Sequence, residues 1–218
     1  MLVKIRLREL RGDIDADIGI GALIIFIAMI MVAGVTASVM IQTMSGLQQQ
    51  AMKTSEETMK EISSGLKVTY ISGYVNNFKI SQLAIFLTPI AASNEIDLNY
   101  AMLSLSDSSS KVVLNYTSGC FNNSVSTGLF GTLNASKLTA SRYGIIVIRD
   151  IDNSCTATSP IINDEDLVVL VVNTSKCFSG IGPRTDVSGE IFPEQGIRGI
   201  ISFTTPSSFV NRIVDLQP

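Results

Sequence analysis

Hydrophobic residues dominate one stretch of the chain, Ile18 to Ile41, with the sequence IGIGALIIFIAMIMVAGVTASVMI. This stretch contains no charged residue and no proline, and its apolar side chains fall on every side of a helical wheel. A helix that is apolar all round has to be covered all round, by lipid or by protein. At about 1.5 Å per residue, this helix would just span a hydrocarbon core roughly 30 Å thick.

The helical pattern continues beyond the apolar stretch. The segment from Gln42 to Gln50 is polar and uncharged, and from Ala51 to Leu66 apolar residues recur at helical spacing. Ser64 and Gly65 are suited to end the helix, so the predicted helical domain covers residues 13–66. A helix of roughly 45 residues, about 70 Å long, cannot cover its own apolar half and needs partners.

A different periodicity begins at Val68, where apolar and polar residues alternate. Strands are predicted around Leu83–Leu87, Val112–Tyr116, Gly144–Ile151 and Leu167–Asn173, and the last two are dense enough in β-branched residues to be central. Short strands separated by turn residues indicate an antiparallel β-sandwich, immunoglobulin-like or barrel-like, over residues 67–218. The predicted fold class is therefore α+β, with a long amino-terminal helix before the β-sandwich head.

The first twelve residues, MLVKIRLRELRG, contain four basic residues and one acidic residue. A basic segment before an apolar helix stays on the cytoplasmic side of a membrane. The composition changes abruptly after Arg11-Gly12, where the acidic run starting at Asp13 begins. Because Gly12 has no side chain, a protease can close on the backbone there. We expect cleavage between Gly12 and Asp13, which would remove residues 1–12 and keep the hydrophobic helix.

The composition excludes several classes of chemistry. The chain has no histidine, so Ser-His and Cys-His catalysis are impossible. Its net charge of −3 argues against a nucleic-acid partner. The three cysteines, Cys120, Cys155 and Cys177, are interpreted as small buried core residues in preference to a disulfide with one thiol left over. No motif indicates a catalytic residue or a cofactor, so the chain is not expected to be an enzyme.

Acidic and amide side chains flank the two predicted central strands, and they form the strongest chemical candidate. Asp150, Asp152 and Asn153 follow one strand, while the run from Asn163 to Asp166 precedes the other. Oxygen ligands in loops suit Ca²⁺ or Mg²⁺, but the spacing is not that of an EF-hand. Solvated turn residues are the favoured interpretation, and no metal is predicted.

Four Asn-x-Ser/Thr triplets lie in the β-rich part of the chain, at Asn115, Asn122, Asn134 and Asn173. In a protein outside the cell, these are candidate sites of N-linked glycosylation and therefore indicate surface. A chain rich in Asn, Ser and Thr also produces such triplets by chance, and Asn173 ends a strand that is expected to be buried. Asn122 and Asn134 are the favoured acceptors.

Both ends of the chain resemble the archaellins, the archaeal flagellins. The resemblance covers Arg11-Gly12 with the run Ile18–Met29, the continuation Gly46–Val68, and the carboxyl-terminal segments Val187–Glu190, Ile201–Ser208 and Val214–Gln217. It implies removal of the leader by a membrane peptidase and a filament core of amino-terminal helices related to that of type IV pili. It also implies an outer β-sandwich, often N-glycosylated, and rotation of the filament for swimming. The acidic run Asp13–Asp17 is longer than the linker that the family leads us to expect.

These implications agree with the physical argument from the helix. In a filament, each apolar helix is covered by copies of itself in a non-closing array. The residues expected to pack in that core are Ile24, Phe26, Ala28, Met31, Gly34 and Val35, where the small ones permit close approach of helices.

The expected partners are the chain itself, related subunits, the leader peptidase, and the membrane before assembly, with an extracellular filament as the final location. Two alternatives remain open at this point. A type IV adhesion pilin would share the leader, the helix and the sandwich. A monomeric, membrane-anchored binding module would keep its helix in lipid.

Overall fold

The structure is a computed structural model that describes residues 2–90, 93, 95–133, 135–163 and 165–217, with side chains from Ile18 onward. The chain divides into two compact units, Met1–Glu56 and Glu57–Pro218. The elements, in chain order, are α1 (Leu2–Ser63), β1 (Leu66–Asn76), β2 (Lys79–Pro89), β3 (Ile96–Asp97), β4 (Met102–Ser106), β5 (Lys111–Asn122), β6 (Arg142–Arg149), β7 (Ile161–Ile162), β8 (Leu167–Val172), α2 (Thr174–Cys177), β9 (Asp186–Phe192), β10 (Gly199–Thr204) and β11 (Ile213–Gln217).

The helix α1 supplies the whole first unit and continues to Ser63. After Ser63 the backbone pairs with the sheet instead, since Ser64 and Leu66 bond to Ile197, and the chain passes through a crowded position at Gly65. The amide of Ser64 still donates to the carbonyl of Lys60 at 3.0 Å, but a Cβ on Gly65 would lie 2.7 Å from Ile90 Cδ1 and 2.9 Å from Ile197 Cβ. The helix thus ends just before Ser64 and Gly65, the residues suited to end it, and β1 begins at Leu66.

Nine strands of the second unit form one sheet, in the order β10-β9-β4-β5-β6-β8-β2-β1-β11. The sheet curls so that its two ends approach each other. Backbone bonds join Ile197, just before β10, to Ser64 and Leu66 at 2.8 and 3.0 Å, and the amide of Ser202 in β10 donates to Gln217 Oε1 in β11 at 3.3 Å. The α+β prediction is confirmed in its barrel-like form: one nearly closed sheet replaces two facing ones.

One strand pair departs from the antiparallel prediction. Strands β5 and β6 pair in parallel, while the other pairs of this sheet are antiparallel. A parallel pair requires a crossover connection of about a dozen residues or more. The segment 123–141 provides it by crossing the outer face of the sheet, where Leu133 and Leu138 pack with Ile146, Val169 and Val171.

This crossover explains why β6 and β8 are buried on both faces. Ile145 and Leu170 lie in the core enclosed by the curled sheet, whereas Ile146 and Val169 lie under the crossover. Both strands are near the middle of the sheet order, which confirms the prediction that they are central. Their continuous apolar runs, in place of a strict alternation, are the sequence signature of strands buried on both sides.

Candidate functional site

The apolar surface of α1 is exposed in the single chain. The predicted core residues Ile24, Phe26, Met31 and Val35 are between 60% and 69% exposed. Ala28 is also exposed, and a Cβ on Gly34 would meet no atom within 4 Å. Residues Ile18–Ser63 form a helix long and apolar enough to cross a membrane. Whether these side chains pack in a filament remains a prediction.

Burying this surface is strongly favourable. Each large apolar side chain that is fully removed from water contributes about 1.5–3 kcal/mol, and the apolar stretch carries more than ten of them. Thr36, within the stretch, donates its hydroxyl to the carbonyl of Val32 at 2.8 Å, and Thr43, just beyond it, donates to the carbonyl of Val39 at 2.8 Å, so both hydroxyls are satisfied within the helix. The apolar stretch is therefore suited to burial away from water.

Gly12 and Asp13, the residues of the predicted cleavage site, lie within the described backbone of α1, but their side chains are outside the described residues. The helix passes through both positions without a break. The position of the scissile bond therefore stays a prediction from the sequence.

The structure separates the four candidate glycosylation sites. Asn115 is exposed and Asn122 is half-buried, while Asn134 lies outside the described residues. Asn173 is 7% exposed, and its Nδ2 donates to the carbonyl of Ala135 at 3.0 Å. A glycosyltransferase has to reach that nitrogen, so the buried amide makes Asn173 the poorest acceptor among the described triplets.

The structure brings together three of the acidic residues that flank the central strands. One carboxylate oxygen of each of Asp150, Asp152 and Asp166 lies within 4.8 Å of the others. Asp152 accepts Asn163 Nδ2 at 2.6 Å, and this bond with others from Ser154 lowers its pKa to about 2. Asp164 lies outside the described residues.

Asp166 differs from its neighbours because it is 1% exposed, so its interpretation as a solvated turn residue is wrong. Its Oδ2 accepts the amide of Asn163 at 3.0 Å, but Oδ1 has no hydrogen-bond partner among the described residues. Burial raises the pKa of Asp166, as do the charges of Asp150 and Asp152. Three carboxylates with an unpaired oxygen are a set that Ca²⁺ could occupy.

Replacing Asp166 with asparagine is expected to raise the melting temperature of the head at neutral pH by roughly 2–4 °C, which corresponds to about 1 kcal/mol. A carboxyl whose folded pKa is raised stabilises the fold below its unfolded pKa and loses that contribution as the pH rises through the folded value. The gain should therefore vanish below about pH 4. The gain is measured by thermal unfolding of the full-length wild-type and Asp166→Asn chains in detergent, at neutral pH and below about pH 4.

The Asp166→Asn variant also tests whether Ca²⁺ binds to the three carboxylates. Added Ca²⁺ should raise the melting temperature of the wild-type chain and have little effect on Asp166→Asn, because the variant loses a charged ligand from the set. Equal melting temperatures of the two chains at every pH, with and without Ca²⁺, would contradict the view that the buried carboxylate is a local source of instability.

The three cysteines pack in or against the hydrophobic clusters of the head. Cys120 and Cys155 are each 3% exposed, as predicted for core residues, whereas Cys177 is only half-buried. Burial raises the pKa of Cys155 to about 12 and that of Cys177 to about 11. These thiols stay protonated at neutral pH and are therefore poor nucleophiles.

One feature of the head, an acidic cavity, is not indicated by the sequence. A cavity of about 190 Å³ opens between Glu95, Asp97 and Glu194, lined also by Ser64 and Gln195. Its carboxylates come from segments about a hundred residues apart, one after β2 and one after β9. No local pattern in the sequence indicates their proximity.

Comparisons with known proteins give a consistent result. The model of the family "archaeal-type flagellin" matches residues 16–203. Flagellin B2 of Methanocaldococcus jannaschii is 41% identical over 91% of this chain and 94% of its own length. Flagellin B1 of Methanococcus voltae is 37% identical over 97% of this chain and 99% of its own length.

Two solved structures share the fold. The crystal structure of archaeal flagellin FlaB1 from Methanocaldococcus jannaschii has a TM-score of 0.64 at 33% identity, covering 71% of this chain and 97% of that one. A chain of the archaeal flagellum of Methanospirillum hungatei strain JF1 also has a TM-score of 0.64, at 18% identity, over 90% of this chain and 98% of that one.

The family model and the two relatives extend through both the apolar helix and the curled sheet, since the model matches residues 16–203 and the relatives cover 91% and 97% of this chain. They favour neither an adhesion pilin nor a membrane-anchored module, and they indicate a structural filament protein rather than an enzyme. The chain thus belongs to the archaeal-type flagellin family, as a structural subunit of a flagellar filament.

Proposed function

We propose that the chain is made as a membrane-inserted precursor and assembles, after loss of residues 1–12, into an extracellular helical filament used for swimming. The observation that carries the proposal is the helix α1, whose apolar surface is exposed on all sides between Ile18 and Ile41. In the precursor lipid covers this surface, and in the filament neighbouring helices cover it.

The basic leader has a physical role in this sequence of events. Its four basic residues hold the amino terminus at the cytoplasmic face of the membrane. Cleavage between Gly12 and Asp13 by a leader peptidase removes that charge, so the helix is free to leave the bilayer and join the growing filament. The new amino terminus begins with the acidic run Asp13–Asp17.

The head, residues 67–218, then forms the outer surface of the filament, in a homopolymer or together with related subunits. N-linked glycan at Asn115, Asn122 and Asn134 would lie on this surface, whereas the buried Asn173 would stay unmodified. Support comes from the exposure of Asn115 and the hydrogen bond of Asn173 to Ala135.

The glycosylation proposal makes a measurable distinction between two asparagines. Asn122→Gln should lower the mass of the purified subunit by one glycan and leave its melting temperature unchanged. Asn173→Gln should leave the glycan mass unchanged and destabilise the head by about 1–3 kcal/mol, because a buried hydrogen bond is lost. Intact-mass spectrometry and thermal unfolding give both readouts, and a glycan on Asn173 would refute the assignment.

The experiment that tests the whole proposal is amino-terminal sequencing, by mass spectrometry, of protein sheared from cells. We expect a chain that begins at Asp13 and sediments as filaments. A chain that begins at Met1 and is found only in detergent extracts of membranes would contradict both processing and assembly.

A further inference from the structure

The two ends of the curled sheet carry opposite charge. We call them the Leu66 end, where β1 begins, and the Lys79 end, where β2 begins. The strand registers show which residues lie at each end. In β1 and β2, Leu66 pairs with Pro89 at one end and Asn76 pairs with Lys79 at the other. The registers of β8, β6, β5, β4, β9 and β10 then assign the ends of the remaining strands in the same way.

The Lys79 end is basic. Among the described residues it carries two acidic side chains, Asp107 and Asp186, and seven basic ones, which are Lys79, Lys111, Lys137, Arg142, Lys176, Arg184 and Arg212. All seven basic side chains are exposed. Lys137 is placed at this end because the neighbouring carbonyl of Ser136 accepts Lys176 Nζ at 2.9 Å.

None of these seven forms an ion pair with a described carboxylate. Three of them contact neutral oxygens: Lys79 Nζ donates to the carbonyl of Ser179 at 3.3 Å, Lys176 Nζ to that of Ser136, and Arg142 Nη1 to Thr117 Oγ1 at 3.3 Å. Asp107 and Asp186 instead accept hydrogen bonds from nearby hydroxyls. The positive charge of this end is therefore not neutralised within the described part of the head.

The Leu66 end is acidic. Among the described residues that follow α1, it carries three basic side chains, Lys67, Arg149 and Arg198, and seven acidic ones, which are Glu95, Asp97, Asp150, Asp152, Glu165, Asp166 and Glu194. Arg198 is already paired with Glu190 at 3.0 Å. The cavity between Glu95, Asp97 and Glu194, about 190 Å³, has room for one basic side chain.

We propose that the Lys79 end of one head docks on the Leu66 end of the next copy of this chain, so that heads cohere end to end along the filament. The inference rests on the proposed assembly into a filament and adds the contact that heads make there. The partner is a second copy because a screw array brings unlike surfaces of one chain together, and here the two unlike surfaces have complementary charge.

The acidic cavity is the receiving site for a lysine or arginine of the neighbouring head. Long side chains extended from the Lys79 end can place an ammonium or guanidinium among carboxylates that have few counter-charges of their own. Such contacts at a solvent-exposed rim weaken as salt screens them over a Debye length of about 10 Å at 0.1 M. Cohesion of the filament should therefore depend on ionic strength.

The test uses filaments sheared from cells that express full-length variants. A double variant that carries both Lys79→Glu and Lys176→Glu should release subunits about tenfold faster or more at low salt. The reason is that the Lys79 end of one head would then repel the acidic Leu66 end of the next. Adding Glu95→Lys and Glu194→Lys to that chain should restore the wild-type rate. Release is measured as protein that no longer sediments.

Lys67→Glu is the matched control, since it also replaces an exposed lysine with glutamate but lies at the Leu66 end. It should leave the release rate unchanged or reduce it. The proposal is overturned if Lys67→Glu accelerates release as much as a reversal at the Lys79 end, or if the four-residue variant is not rescued. Absence of filaments from wild-type cells would instead refute the proposed function.

Discussion

Replacing Ala28 with aspartate is expected to abolish filaments. Ala28 lies in the middle of the apolar stretch, and in the proposed filament its small side chain lets neighbouring helices approach closely. A carboxylate there would be buried without a partner, which costs several kcal/mol in each subunit. Because every subunit carries the change, even a cost of about 3 kcal/mol per contact raises the concentration of free subunits by more than about 100-fold.

Electron microscopy and sedimentation of sheared protein measure the outcome, and Gly34→Asp should give the same result. The matched control is Ala51→Asp, which changes the same residue type in the same helix but beyond the apolar stretch, next to glutamines. The control should still form filaments. Normal filaments from Ala28→Asp would show that this helix surface stays accessible to water.

A bulky residue at Gly12 is expected to leave the leader attached. In Gly12→Val the peptidase meets a β-branched side chain where it would otherwise close on bare backbone. The uncut chain keeps its four basic leader residues, so its helix stays in the bilayer. We expect the chain to begin at Met1, to be confined to the membrane fraction, and to be missing from sheared filaments.

Leu7→Val serves as the control for Gly12→Val, since it introduces the same side chain elsewhere in the leader. Mass spectrometry of the amino terminus should show that Leu7→Val is processed like the wild-type chain. Mature subunit beginning at Asp13 in cells that carry Gly12→Val would place the scissile bond elsewhere.

Local patterns in the sequence were sufficient for the elements that depend on local physics. The helix follows from an apolar stretch with neither charge nor proline, and the central positions of β6 and β8 follow from their runs of β-branched residues. These features need no knowledge of distant residues. The parallel pairing of β5 with β6 does, because it depends on how the segment 123–141 crosses the sheet.

For the candidate sites, too, the sequence indicates which residue types are present, whereas their burial and contacts depend on distant residues. The sequence grouped Asp150, Asp152 and Asp166 because they flank adjacent strands, yet it gave no sign that Asp166 is buried with an unpaired oxygen. Asn173 matches the glycosylation triplet as well as Asn122 does, but its amide is hydrogen-bonded inside the head. The end-to-end charge asymmetry appears only once the strand registers are known, since its members are scattered between residues 67 and 212.

The central claim is that neighbouring subunits cover the apolar helix, and methionine oxidation in intact filaments tests it most directly. In the single chain, Met29, Met31 and Met40 are 68–69% exposed, more than Met102 on the head at 47%. Peroxide oxidises methionine according to its exposure. We expect the three helix methionines to be protected in intact filaments and to be oxidised once the filaments are denatured. Oxidation of Met29, Met31 and Met40 as fast in intact filaments as after denaturation would contradict the claim.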